Sequence, residues 1–379
     1  MKKALAIVLA LAMALTLVAC GGTPTSSSAP ASASTPASGS ASAAGSDVKS
    51  VEGMTVTFIP KVTGNAFFEV ANNGAQAYAE DWGITVDYQG SATAAVADQV
   101  QVINTAVASG TDAICISTVD AAGVSDALKA AADAGVIVTT WDSDALPEDR
   151  DLMVSQGTPD VLGQMLVDMA VAGLEARGVD PENDEVTYCW HYSQATVTDQ
   201  NSWQVAGEAI IAEKYPNWTN VAPDNYYSNQ DAEQAITVGE AVLSAHPDID
   251  LIICNDSTAL PGQCGAAQNK GLTADDITIT GFCPPSGMTT YLENNICTRW
   301  GLWDCGIQGA MGCYLAAYVS AGNTVKVGDV VSIPGIGDVT ILANGDLVEG
   351  QETAPENNGV VLLPERVVFT AENVADYPF

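Results

Sequence analysis

Residues 54–61 read MTVTFIPK, residues 94–110 read AAVADQVQVINTAVASG, and residues 113–118 read AICIST. The first and third are short β-rich runs. In the second, Val96, Val100, Ile103 and Val107 recur at helical spacing and Gly110 closes the end. This alternation continues along the chain. Strands are predicted at 54–60, 85–89, 113–118, 136–142, 185–191, 221–226, 251–255, 277–282 and 298–303, with amphipathic helical stretches between them. Strand and helix in alternation predict a parallel sheet covered by helices on both faces. Four such units fill residues 53–144 and a second series fills 157–297, so the expected fold is α/β with two doubly wound parallel-sheet lobes.

Open sheets of this kind present ligand-facing residues at the carboxyl ends of their strands. Polar and aromatic groups gather there: Lys61, then Ser117 and Thr118, then Asp142 and Asp144, and in the second series the stretch from His191 to Gln200, Asn255-Asp256-Ser257, Phe282-Cys283 and Trp303-Asp304.

Bulk properties narrow the function. The chain has 379 residues with 47% hydrophobic content, enough for about two domains. Its 46 acidic residues against 12 basic ones give a net charge of −34, which repels a phosphate backbone and excludes nucleic acid as a partner. The amino terminus reads as an export signal: Lys2 and Lys3, an apolar run from Ala4 to Ala19, then Cys20-Gly21-Gly22. That run is shorter than the roughly 20 residues of a membrane span. The junction Leu17-Val18-Ala19-Cys20 resembles the bacterial lipobox and predicts a signal peptide over 1–19 with lipidation of Cys20, holding the protein on the outer face of the cell membrane. Residues 20–52 then form a Ser/Ala/Pro-rich linker. The cysteines at 115, 189, 254, 264, 283, 297, 305 and 313 form no CxxC pair, and the histidines are His191 and His246 alone, so no metal or cofactor is expected.

Several residues suit a small polyhydroxy ligand, each with a plainer alternative. Lys61 supplies a scarce cation or is a surface lysine. Asp142 offers acceptor sites to hydroxyl hydrogens or serves as a loop carboxylate. Phe67, Phe68, Trp141 and Trp303 provide apolar walls for a sugar ring or belong to the core. The run from Ser193 to Asn201, with Asp199 and Gln200, crowds hydroxyl, carboxylate and amide groups, and Asn255-Asp256-Ser257 fits a ligand loop or a helix cap equally well. Catalytic patterns such as GxSxG, GxGxxG and GxxxxGK[ST] are missing, so no enzyme is expected.

Six ordered blocks carry a resemblance: Phe58-Ile59-Pro60-Lys61, Thr140 to Asp144, Gln156-Gly157-Thr158-Pro159, Thr196 to Asn201, Gly301-Leu302-Trp303-Asp304, and Leu362 to Val367. From about residue 54 onward the chain resembles the Lsr-type autoinducer-2-binding proteins, within the type I (ribose/rhamnose-like) periplasmic sugar-binding proteins of ABC transporters. The resemblance implies that Lys61, Asp142, Asp199 and Gln200 hold ligand hydroxyls. Two further family contacts lie in a Pro-Asp-Ala pattern, where this chain has Asn255-Asp256-Ser257, a departure that puts the exact sugar in question. It also implies a hinge of three crossings near 144, 304 and 357. The lobes would then be 53–144 plus 305–357 and 145–304 plus 358–379, with Val360 to Phe369 as a last strand in the second lobe. The expected ligand is autoinducer-2 in its furanosyl tetrahydroxy form, with rhamnose or a pentose as the alternative. The expected partners are ABC permease and ATPase subunits, or else a membrane receptor that reads the loaded protein as a signal.

Overall fold

The computed structural model describes residues 48–379. The expected signal peptide, Cys20 and most of the linker lie outside the described residues. In chain order come β1 (Thr55–Ile59), α1 (Ala66–Trp82), β2 (Thr85–Tyr88), α2 (Val96–Ala108), β3 (Ala113–Ile116), α3 (Ser125–Asp133), β4 (Ile137–Trp141) and β5 (Leu152–Ser155). Next are α4 (Pro159–Ala176), β6 (Val186–Tyr192), α5 (Thr198–Lys214), β7 (Trp218–Asn220), β8 (Tyr226–Tyr227) and α6 (Ala232–Ala245). These are followed by β9 (Leu251–Cys254), α7 (Ala259–Lys270), β10 (Thr278–Gly281), α8 (Pro285–Glu293) and β11 (Trp300–Leu302). The chain finishes with α9 (Cys305–Ser320), β12 (Val330–Ile333), β13 (Gly337–Thr340), β14 (Gly359–Leu362) and β15 (Val367–Phe369).

Six strands form one sheet in the order β14-β5-β4-β3-β1-β2, every neighbour parallel. A second parallel sheet runs β10-β9-β6-β7, with β8 also paired to β6. Interior strands such as β3, β5 and β9 are buried along their whole length, as expected when helices cover both faces. On one face of the first sheet, Ile103 of α2 and Leu128 of α3 pack on Ile59, Ile114, Ile116 and Val138. On the other face lie α1 and α9.

Local sequence explains these helices. Asn65 caps α1 by accepting from the Phe67 amide, and Gly83, left-handed at φ 68°, closes it with its N–H on the Ala79 and Glu80 carbonyls. α9 has almost no polar face, because it is wedged between α1 and the sheet. Its Gly306 and Gly309 let α1 approach: a Cβ on Gly74 would overlap the Gly306 backbone, and one on Gly309 would meet the Ala71 carbonyl at 2.5 Å.

The structure moves two of the expected lobe boundaries. β5 and β14 pair side by side in the first sheet, so residues 145–155 and 358–362 do not belong with the second series. The chain instead passes between the sheets at 156–158, 303–304 and 363–366. The reason is a buried fork: Arg150 binds Asp144 through Nε (2.9 Å) and an NH2 nitrogen (2.8 Å), and reaches the Gly359 carbonyl and Asn344 Oδ1. It ties both segments to one sheet edge. The expected strand from Val360 to Phe369 is likewise two strands, β14 and the antiparallel partner of β11, separated by Pro364, which has no N–H to donate. The strand expected at 221–226 is instead a loop: β7 ends at Asn220 before it, Pro223 interrupts it, and β8 begins only at Tyr226.

The α1–α9 contact gives a direct test. Gly74→Val is expected to destabilise the fold by about 1–3 kcal/mol through overpacking, read as a lower urea midpoint; an unchanged midpoint would show that the two helices do not pack as closely as described.

Candidate ligand-binding site

The carboxyl ends of the two sheets face a common, nearly closed hollow with a volume of about 20 Å³, little more than room for a water. From the first series, Lys61, Phe67, Phe68 and Asp142 line it. From the second come Gln200, Trp203, Gln230, Asn255, Asp256, Ser257, Phe282, Leu302 and Trp303. Two larger depressions, of about 230 and 550 Å³, share Met169 and Arg299, and none of the candidate ligand residues reaches them.

Lys61 follows Pro60 at the end of β1 and is 3% exposed, so it is not the surface lysine of the plainer reading. Its Nζ lies 2.9 Å from Asp142 Oδ2, which also accepts from Ser117 Oγ at 2.7 Å. Asp142 ends β4 with a left-handed backbone at φ 60°, an uncommon conformation for a residue other than glycine and one that tends to persist at functional sites. That turn brings the carboxylate back over the strand ends, toward Lys61.

Trp141 departs from expectation. It is fully buried, does not line the hollow, and stacks on Phe58 (centroids 4.6 Å apart) and on Phe67 (5.9 Å, planes 6° apart). Successive strand residues face opposite ways, so placing Asp142 at the site sends Trp141 into the core behind Phe67. The apolar walls are Phe67, Phe68 and Trp303, completed by Trp203 and Phe282, whose rings meet edge to face with that of Trp303 at 5.9 and 5.5 Å.

Asp199, in the first turn of α5, stands beside the hollow and is half-buried. Its carboxylate accepts from Ser143 Oγ at 2.5 Å and from Gln156 Nε2 at 3.5 Å, and Gln156 Nε2 also reaches the Asp142 carbonyl at 3.1 Å. Gln156 is held by Gln308, which accepts from Trp303 Nε1 at 2.7 Å. One hydrogen-bonded chain thus joins the Asp199 carboxylate and the Asp142 backbone to an aromatic wall.

The second series supplies amides. Gln200 Oε1 accepts from the Ser193 hydroxyl and amide, and Gln200 Nε2 donates to Asp256 Oδ2 at 3.2 Å. Asp256 Oδ1 accepts the Thr258 and Ala259 amides, so this residue is both a cap on α7 and part of the wall. Asn255 Nδ2 donates to the Gln200 carbonyl, while Asn255 Oδ1 and Gln230 Oε1 are buried without a protein partner. Unsatisfied buried acceptors are costly and point to a donor from outside the protein.

Charges interlock here. Burial by itself would lower the Lys61 pKa, but Asp142, Asp199 and Asp256 together hold it above its ordinary value. Burial, helped by the Asp142 charge, pushes Asp199 up to about 6 against the pull of Lys61 and Ser143. Burial also raises Asp256, opposed by its cap hydrogen bonds and Lys61. One ammonium among three carboxylates leaves the site unsuited to an anion and rich in acceptors for hydroxyl hydrogens. Among the described residues, no cluster of His, Cys, Asp and Glu has the arrangement of a metal site, and the cysteines that the structure describes are free and buried.

The two sides meet around the hollow. Asn65 Nδ2 donates to Thr258 Oγ1 at 2.9 Å, Ser257 Oγ donates to Asn65 Oδ1 at 3.3 Å, Gln194 Nε2 reaches the Ala94 carbonyl at 3.1 Å and Thr196 Oγ1 the Val119 carbonyl at 3.3 Å. Ser257 therefore serves partly as a closing contact. The sequence placed Asp256 and Phe282 at the strand ends, but it did not single out Trp203, Gln230 and Leu302 as wall residues. Trp203 had a signal, since it lies one turn beyond Asp199 on the same helix face; Gln230 sits in a loop with none.

Known proteins resemble this chain in sequence and fold. LsrB from Clostridium saccharobutylicum in complex with AI-2 is 67% identical, with a TM-score of 0.85 over 86% of this chain and 100% of that one. An ABC transporter solute-binding protein from Clostridium phytofermentas with bound L-rhamnose is 23% identical, with a TM-score of 0.72 over 86% of this chain and 98% of that one, and shares the fold. The D-ribose/D-allose-binding protein of Pseudomonas aeruginosa is 24% identical over 60% of this chain and 70% of its own length. The family model described as periplasmic binding protein domain matches residues 56–324. With two parallel sheets, three crossings and a polar hollow at the strand ends, this chain belongs to the periplasmic binding protein family.

Proposed function

We propose that this protein is the extracytoplasmic solute-binding component of an ABC importer and that its ligand is autoinducer-2 in the furanosyl tetrahydroxy form. What carries the reading is the lining of the hollow: Lys61 and Asp142 from one sheet and Gln200 from the other, with Asp199 alongside, converge on one shared space walled by aromatic rings. The 67% identity to a protein holding AI-2, over the whole of that protein, supports the same ligand. Binding with return of the intact ligand, rather than turnover, fits a site whose polar groups are tied into a static network.

In this reading the ligand enters between the separated sheets, its hydroxyls bind Asp142 and Asp199, its ring lies against Phe67, Phe68 and Trp303, and closure brings Gln200 and Asn255 onto it. A permease then recognises the closed form. Lipidation at Cys20 would keep the protein near that permease. The linker leaves room for closure on the membrane surface.

Micromolar affinity corresponds to about −8 kcal/mol, which a few charge-assisted hydrogen bonds of roughly 1.5–3 kcal/mol each and aromatic packing supply after the cost of association. Calorimetric titration is expected to show binding of autoinducer-2 at micromolar strength or better and little response to L-rhamnose or D-ribose. Tight rhamnose binding with none of autoinducer-2 would replace the ligand while leaving the transport role.

Asp142→Asn keeps the shape and tolerates the left-handed backbone but leaves the buried Lys61 with an uncharged partner, so it should fold with a lowered melting temperature while affinity drops at least about tenfold through loss of a charged acceptor. Asp142→Ala should also lose stability, by up to about 3–5 kcal/mol, because Lys61 is left buried beside a gap. Equal affinity in the Asn variant would remove Asp142 from the ligand.

Acid should weaken binding. A ligand hydroxyl that donates to Asp199 needs the carboxylate, and protons compete for it below about pH 6, so affinity measured at pH 5 should be lower than at pH 7.5 and Asp199→Asn should flatten that dependence. For the unliganded fold the sign is reversed: a carboxyl raised above its ordinary 3.8 adds stability below that value, and the contribution is gone above about 6.

A further inference from the structure

Gln230 lies in the short loop between β8 and α6, where its side chain is 7% exposed and lines the hollow. Its backbone is left-handed at φ 60°, and that of Asn229 before it is left-handed at 54°. Two successive non-glycine residues in that region are unfavourable unless the surroundings hold them there.

The orientation of its amide follows from chemistry. Gln230 Nε2 donates to Asp256 Oδ2 at 3.3 Å. Turned over, Oε1 would face a carboxylate oxygen, and two acceptors repel. Asp256 cannot swing away, since the Thr258 and Ala259 amides pin its other oxygen. Gln230 Oε1 is therefore fixed as a buried acceptor with no protein donor. Gln200 differs, because its own oxygen is already taken by Ser193. The two glutamines share one carboxylate and each keeps a second N–H, but only Gln230 also keeps a free oxygen.

We propose that Gln230 is a further ligand-contacting and specificity-determining residue whose Oε1 accepts a hydroxyl hydrogen from the bound sugar-like molecule, so that the site selects ligands carrying a hydroxyl toward the β8–α6 loop. This rests on the sugar-binding reading above and adds to it one acceptor that the sequence did not reveal. Asn255 Oδ1, the other unpartnered amide oxygen of the wall, asks for a second donor from the same ligand.

The test uses two variants of the full chain and autoinducer-2 as the probe. Gln230→Met keeps the length and removes the acceptor. Gln230→Gly removes it too and relaxes the left-handed backbone, so a fold that tolerates neither side chain is recognised at once. Both unliganded variants are expected to melt within a few degrees of the wild type, and both should bind autoinducer-2 roughly tenfold more weakly, the scale of one buried hydrogen bond. Wild-type affinity in a folded Gly variant overturns the proposal. If the unmutated chain binds neither autoinducer-2 nor L-rhamnose, the ligand reading fails and this inference with it; if it binds and the variants bind equally well, this inference alone fails.

Discussion

The site depends on one buried ion pair. Lys61 and Asp142 come from the ends of two strands separated by β3, are almost wholly removed from water, and lie 2.9 Å apart. In a chain of net charge −34, a buried ammonium is the residue that allows three carboxylates to share a small space. Desolvating such a pair is seldom a net gain in stability. Its presence makes physical sense as preparation of a binding surface, with the carboxylate oriented and strained before any ligand arrives.

The rest of the architecture keeps that pair in register. β1, β3 and β4 set the spacing, while α9 packs against the same strands from behind and gives the first series a rigid base. The Arg150 fork secures the strand edge next to the crossings, and the chain passes between the sheets at 156–158, 303–304 and 363–366. Gln156 sits in one of these crossings and touches the Asp142 carbonyl, Asp199 and Gln308. Gln156 thereby links this crossing to the Asp142 backbone, to the Asp199 carboxylate and, through Gln308, to Trp303.

Negative charge has a further consequence. Across the hollow, acceptors outnumber donors: carboxylates of Asp142, Asp199 and Asp256, and the open oxygens of Gln230 and Asn255. A neutral polyhydroxy molecule supplies the missing hydrogens, and a phosphorylated or carboxylated one would meet repulsion. The aromatic rings of Phe67, Phe68, Trp203, Phe282 and Trp303 form the apolar part of the same lining.

The sequence by itself determined the alternation of strands and helices, the parallel sheets, the strand ends where polar groups gather, and the placement of Lys61, Asp142, Gln200, Asn255 and Trp303 at those ends, because side-chain periodicity and strand-end chemistry are local properties. Only the tertiary structure decided the rest. Trp141 went to the core because its neighbour took the site, β5 and β14 joined the first sheet because a buried arginine ties them there, and Gln230 entered the wall through a left-handed loop that no pattern announces. These outcomes turn on which segments meet across long stretches of chain, and that information resides in packing and in hydrogen bonds between distant residues rather than in any local run.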